Sequence, residues 1–301
     1  MRTRHKETCN KGSDTINIAF KKVTVFILFI LIIAGIGYSL SGCAFAGTKT
    51  VLEPGDTAYD YGVFIGIDSN LSQCEKYETV VIDAQYFSED EITSFAQKGH
   101  KIYSYLNIGS LENFRGYYQR FSPLALGSYE NWDEERWMDV SSAAWQRFIL
   151  DELAPEMLQK GIDGFCVDNC DVYDQCPEQG IFDGLVTIMQ GLMQTGKKVI
   201  INSGDAFVNE YCKSGGDVSD IITGINQESV FSSIQWASGT FGEASKESLE
   251  YFTTYIEKYA SLGADIYLLE YATDSTIVQK VSDYCVDKGF TLYIANNIEL
   301  K

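Results

Sequence analysis

Histidine is almost missing from this chain. Only His5 and His100 occur among 301 residues, so a multi-histidine metal site cannot be built. A Ser-His-Asp triad would have to recruit one of the two. Basic residues are scarce as well: 23 lysines and arginines face 42 acids, for a formal charge of −19. Nucleic-acid binders carry a basic patch, and this balance argues against one. No GxxxxGK[ST] loop and no GxGxxG turn occurs, so nucleotide binding has no motif behind it. With 45% hydrophobic and 22% charged residues, the composition is that of a globular protein. What remains is chemistry that carboxylates perform unaided.

Charge is absent altogether from residues 23–43, VTVFILFILIIAGIGYSLSGC, which follow a basic stretch carrying Arg2, Arg4, Lys6, Lys11, Lys21 and Lys22. A basic flank before an apolar run of this length reads as a secretion signal or a single membrane anchor with its basic side inside. Leu40-Ser41-Gly42-Cys43 resembles a bacterial lipobox, which would make Cys43 a lipid-modified residue; the alternative is an uncleaved anchor helix. The expected organisation is a targeting segment over 1–43, a linker over 44–59 and one domain over 60–301. The expected location is the outer face of the cell membrane, or the medium after release. Beyond residue 43 there are 17 basic against 40 acidic side chains, which favours a cationic or neutral partner through long-range steering. Cys170 and Cys176 could bridge a loop. A metal cluster of Cys166, Cys170 and Cys176 matches no zinc spacing.

Eight short apolar or aromatic runs recur after residue 60: Tyr61–Asp68, Thr79–Gln85, Lys101–Ile108, Gly164–Asn169, Lys198–Ser203, Ile221–Glu228, Asp265–Tyr271 and Phe290–Asn296. Most are nearly continuous, as for parallel strands covered on both faces. The segments between them read as helices. Ser88 with Glu91 forms a capping box, and Pro155 should kink or split the helix across 142–160. Gly99, Gly161, Gly196, Gly263 and Gly289 each close a helical pattern just before a strand, marking repeated α-to-β turns. Eight βα units in about 240 residues predict an α/β fold, a (β/α)8 TIM barrel forming a single domain. A doubly wound open sheet is the alternative, weakened by the missing phosphate loop.

In such a barrel, chemistry sits at the C-terminal strand ends. The second strand ends on Asp83, the fourth on Asp168-Asn169, the fifth on Asn202-Ser203, the sixth on Glu228 and the seventh on Glu270-Tyr271. Acids at the rim of a buried sheet are costly, so several together point to a site. Two carboxylates facing one cleft are the minimum equipment for glycoside hydrolysis. Asp168 and Glu228 stand two strands apart, roughly 9–10 Å between Cα atoms, with side chains able to converge to about 5–7 Å. That range admits either retention or inversion.

The runs Tyr105-Leu106-Asn107-Ile108-Gly109-Ser110-Leu111-Glu112, Trp137-Met138-Asp139-Val140-Ser141, Gly161-Ile162-Asp163-Gly164 leading to Val167-Asp168-Asn169-Cys170-Asp171, Ile201-Asn202-Ser203-Gly204 and Gln227-Glu228-Ser229-Val230-Phe231 resemble glycoside hydrolase family 114, the endo-α-1,4-polygalactosaminidase-like barrels. The resemblance implies cleavage of α-1,4-linked galactosamine-rich polysaccharide without metal or organic cofactor, with Asp168 as nucleophile and Glu228 as acid/base. It departs where Tyr61-Gly62-Val63-Phe64-Ile65 stands in the first strand, and at Ser110, where members often carry an acid. Deacetylated galactosamine is cationic, which makes Asp83 and Glu270 candidate amine partners and Asn202 a candidate hydroxyl partner. Tyr105, Tyr271 and Trp236 are candidates to stack on sugar faces, and Arg115 with Glu112 reads as an ion pair bracing its loop. Two other readings share the barrel: a carbohydrate-binding lipoprotein that does not cut, and an accessory factor of exopolysaccharide export.

Overall fold

The computed structural model describes residues 59–301; the targeting segment, Cys43 and the linker up to residue 58 lie outside the described residues. Eight strands, β1 Tyr59–Phe64, β2 Tyr77–Ile82, β3 Lys101–Asn107, β4 Gly164–Asp168, β5 Lys198–Asn202, β6 Gly224–Glu228, β7 Asp265–Tyr271 and β8 Thr291–Ala295, pair in parallel in chain order. β8 closes back against β1 through the rings of Tyr293 and Phe64, 5.5 Å apart. The result is a nearly closed (β/α)8 barrel. The open doubly wound sheet is not formed.

Strand alternation explains why the runs looked continuous. Val80, Ile82, Ile102, Leu106, Phe165, Val167, Val199, Ile201, Ile225 and Leu268 face the outer helices in one large core. The intervening Tyr61, Val63, Val81, Tyr103, Tyr105, Cys166, Ile200, Leu269 and Tyr271 fill the barrel itself. Both faces are buried, so both must be apolar.

Besides two single-turn helices, Tyr118–Phe121 and Val172–Gln175, the described residues form α1 Glu89–Ala96, α2 over 143–159, α3 Gln179–Met193, α4 Asp205–Lys213, α5 Lys246–Ser261 and α6 Ser275–Lys288. Ser88 and Glu91 form the expected reciprocal cap of α1. At Pro155 α2 changes type rather than ending: α over Ala143–Arg147, π over Phe148–Leu153, and α again over Ala154–Gln159. A π-turn over Phe148–Leu153 absorbs the hydrogen bond the proline cannot make, and Pro155 opens the helical turn that follows. The five junction glycines all take positive φ, between 70° and 99°, where a side chain would be strained. Cys170 is a free, buried thiol, so the Cys170–Cys176 bridge open to the sequence is not formed.

Two insertions depart from the plain repeat. After β3 the chain builds a three-stranded antiparallel sheet from Ser110–Glu112, Ala125–Ser128 and Glu135–Met138. After β6 it builds a hairpin from Ser232–Gln235 and Thr240–Glu243. Both rise from the C-terminal rim of the barrel.

Candidate active site

At that rim lies a cleft of about 690 Å³ lined by Asp168, Asn202, Asn226, Glu228, Tyr105 and Tyr271, among others. The register brings these residues together. Val167 pairs with Ile201, Asn202 with Asn226, and Glu228 with Leu269. The inward parity that carries Cys166, Ile200 and Leu269 into the barrel therefore continues onto Asp168, Asn202 and Tyr271 at its mouth.

Asn202 is the centre of the arrangement. Its Nδ2 donates to Asp168 Oδ1 at 2.9 Å and to Glu228 Oε1 at 2.7 Å. Two bonds sharing one nitrogen hold those oxygens no farther apart than both lengths laid end to end, 5.6 Å. With amide hydrogens 120° apart the gap is about 4.8 Å. The amide cannot flip, because its Oδ1 accepts from Asn226 Nδ2 at 2.7 Å, and Asn226 in turn accepts from Tyr61 OH at 3.1 Å. A buried relay running from β1 through β6 to β5 thus aims one NH2 group at two carboxylates.

The two acids differ in their surroundings. Asp168 accepts from Asn202, from the Asn169 N–H and from the Tyr105 hydroxyl, which oppose the upward push of burial on its carboxyl. Glu228 is pushed up to about 7, first by burial and then by the Asp168 charge beside it. Its donors are Asn202 and Tyr271, whose hydroxyl reaches Oε2 at 3.0 Å. At neutral pH the pair therefore tends to hold one proton, with Glu228 as its carrier.

The chain pays conformationally for this geometry. Asn169, Ser203 and Ser229, which directly follow Asp168, Asn202 and Glu228, take φ of 66°, 53° and 54°. Left-handed backbone at a non-glycine residue costs on the order of 1–3 kcal/mol, and here it turns three strand ends out of the sheet at one point. Gly109 supports the same turn. A Cβ there would lie 1.7 Å from the Asn169 carbonyl oxygen.

Several sequence candidates take other places. Asn202 commits both amide hydrogens to the two acids and accepts from Asn226 through Oδ1, so it has no N–H left to donate to a sugar hydroxyl. Tyr105 and Tyr271 line the cleft, but their hydroxyls serve Asp168 and Glu228. Asp83 lines the cleft too, yet its Oδ2 is paired with Arg115 Nη1 at 2.6 Å in a buried bridge. Glu270 does not reach the cleft. Neighbours in a strand face opposite ways, and since Tyr271 points inward, Glu270 points out. There it is fully buried and accepts from the backbone N–H groups of Phe231 and Ser232, fixing the chain just beyond Glu228. Arg115 does form the expected pair with Glu112, through Nε at 2.6 Å and Nη2 at 3.0 Å. His100 directly precedes β3, at the opposite end of the strand from the cleft, its Nδ1 2.7 Å from the Tyr77 carbonyl and its ring stacked on Phe95.

Sequence reasoning missed the residues the insertions bring. Glu135 stands on the third strand of the inserted sheet, where Ser110 Oγ, Asn107 Nδ2 and Asn169 Nδ2 all reach its Oε2. Burial pushes its carboxyl up to about 7. Asp171, read in the sequence just after the fourth strand end but given no role there, is likewise raised to about 7 by burial and by the Asp168 charge. Both line the cleft. Strands of three or four residues leave no periodic signal, so nothing in the sequence placed Glu135 here.

The sequence pattern of one family, described as glycoside-hydrolase family GH114, matches residues 43–298. Among solved structures, the chain resembles the glycoside hydrolase domain of PelA from Pseudomonas aeruginosa, with a TM-score of 0.66 at 15% identity over 80% of this chain and 95% of that one. It also resembles Aspergillus fumigatus Ega3 in complex with galactosamine, with a TM-score of 0.63 at 17% identity over 85% and 98%. No curated protein matches the chain in sequence.

Proposed function

The chain belongs to glycoside-hydrolase family GH114, and from that footing we propose that it cleaves α-1,4-linked galactosamine-rich polysaccharide with retention of anomeric configuration. The observation that carries the mechanism is the shared amide of Asn202. The facing oxygens, held within 5.6 Å, bring the two carboxyl groups nearer the roughly 5–5.5 Å of retaining enzymes than the ~6.5–9.5 Å with which an inverting enzyme seats a water.

Glu228, protonated, gives its proton to the glycosidic oxygen as the bond to C1 breaks. Asp168, ionised, attacks C1 from the opposite face and forms a glycosyl-enzyme ester. The leaving chain departs with the proton. Glu228, now a carboxylate, takes a proton from water, whose oxygen displaces Asp168 from C1 and restores both groups. Asn202 stays bonded to both acids, and its donors stabilise whichever carries the negative charge. Substrate choice rests on charge: a cleft holding Asp171 and Glu135 besides the reacting pair attracts an ammonium-bearing sugar, and Ega3 was solved with galactosamine. Incubation with partly deacetylated galactosamine polymer should release reducing ends whose first-formed anomer, followed by proton NMR, is α. A β product would overturn the retaining assignment, and no release from any amino-sugar polymer would leave the binding-only reading.

The reading includes a tether. The uncharged run and Leu40-Ser41-Gly42-Cys43 support an enzyme fixed outside the membrane through a lipid on Cys43. Cys43→Ala should then move the protein from the membrane to the soluble fraction, and unchanged retention would favour an uncleaved helix.

A further inference from the structure

Exposed apolar side chains scattered singly are ordinary, but exposed aromatic rings gathered at a groove mark a binding surface. Tyr86, Phe114 and Trp236, exposed by 44%, 55% and 44%, line the cleft together with the half-buried Trp132. Two of these rings meet. Trp132 stands on the turn before the third strand of the sheet inserted after β3, and Trp236 on the turn of the hairpin inserted after β6. Their centroids are 6.0 Å apart, edge to face at 81°.

Strand order turns that contact into an arch. The feet rise after β3 and after β6, and the reacting groups stand on β4, β5 and β6 within that span. Each leg is braced. On one side Tyr129 stacks on Trp137 at 4.2 Å and donates to Asn169 Oδ1 at 2.9 Å, while the Asn113 N–H bonds the Glu134 carbonyl at 2.8 Å. On the other, Glu270 holds Ser232, and Phe241 packs 5.7 Å from Tyr271. The legs meet at the Trp132–Trp236 ring contact, and neither indole N–H is bonded to another described residue. Firm legs with a weak joint make a part that opens.

We propose that Trp132 and Trp236 form an aromatic clasp that admits an internal stretch of the sugar chain, closes on the faces of its pyranose rings and retains it from one cut to the next. This rests on the hydrolase reading of the same cleft. The hydrophobic part of stacking on sugar faces is non-directional, so a chain enclosed this way slides along its axis more readily than it escapes sideways. The free indole N–H groups are available to sugar hydroxyls once the rings separate. Cleavage is then processive, giving several short products per encounter.

The test uses the full chain in detergent with α-1,4-linked galactosamine polymer at low conversion, comparing Trp132→Ala, Trp236→Ala, the double variant and Trp236→Phe. The readout is the ratio of new reducing ends in short soluble products to those left on long polymer. Each alanine variant should lower that ratio roughly fivefold, the double no further, because one ring without the other closes nothing; phenylalanine should recover part of it. Ratios equal to wild type in both alanine variants overturn the clasp while leaving the hydrolase intact. Wild type that releases no reducing ends would instead fail the hydrolase. The clasp is then decided by tryptophan emission during titration with a galactosamine oligosaccharide, where a shift in wild type that either alanine variant abolishes supports it and an indifferent wild type sinks it.

Discussion

Glu228→Gln is expected to lower kcat/KM by about 10²–10⁴-fold, and Asp168→Asn by on the order of 10⁴–10⁶-fold, with the fold unchanged in both. The inequality follows from the roles. Glutamine keeps the hydrogen bonds to Asn202 and Tyr271 but has no proton to give, so only substrates with poor leaving groups lose the full factor. An aryl glycoside, whose leaving group needs little protonation, should lose far less in Glu228→Gln and as much as ever in Asp168→Asn. The pH profile carries the same logic. Glu228 must be protonated, and its carboxyl is pushed up to about 7, so wild-type activity should fall as pH rises through that value. Asp168 must be ionised, and burial raises its carboxyl above the ordinary aspartate range, so activity should also fall on the acid side. The limb near 7 belongs to the acid and should disappear in Glu228→Gln while the acid limb persists. A profile with its alkaline limb unmoved would take the general-acid role from Glu228.

How much of this was written in the sequence depends on periodicity. Barrel strands repeat a physical demand, apolar on both faces with a turn at each end, and that demand left eight readable runs and five glycines. The proposed pair, Asp168 and Glu228, was legible for a related reason: acids directly after buried strands are costly, so several together point to a site. The same reasoning went astray at Glu270, which ends a strand in sequence but points away from the mouth. Tyr271 beside it already occupied the inward parity, and counting by twos from Leu269 would have excluded the glutamate. Asn202, Tyr105 and Tyr271 line the mouth. Their roles were not legible, because whether a donor meets a sugar or a neighbouring carboxylate depends on distances of an ångström across strands. The insertions were least visible. Glu135 and Trp132 sit in strands and turns too short for any pattern, and what brings them to the cleft is antiparallel pairing with residues some twenty-five positions away.

Arg115→Ala is expected to cost about 3–5 kcal/mol of stability, which for a domain of this size lowers Tm by roughly 10 °C. The guanidinium is buried, with its side chain 5% exposed, and it is the cation for two buried carboxylates at once: Asp83 at 2.6 Å, and Glu112 through two bonds. Its Cζ also lies 5.0 Å from the ring centre of Phe114 and 5.7 Å from that of Tyr86. Removing it leaves two acids facing each other without a partner, and that stranded charge, more than the lost attraction, sets the size of the loss. Two consequences separate this account from simple loss of packing. Adding Asp83→Asn and Glu112→Gln to Arg115→Ala should restore much of the stability, because the amides carry no charge to bury. The deficit should also depend on pH in a definite sense. Burial already raises the Glu112 carboxyl with Arg115 present, and without the arginine it rises further above its unfolded value. A carboxyl whose folded pKa exceeds its unfolded one penalises folding increasingly as pH climbs through that interval. Arg115→Ala should therefore approach wild-type stability on acidification and fall furthest behind above neutrality, measured by thermal melts from pH 5 to 8. A deficit constant across that range would assign the loss to packing against Phe114 and Tyr86 instead.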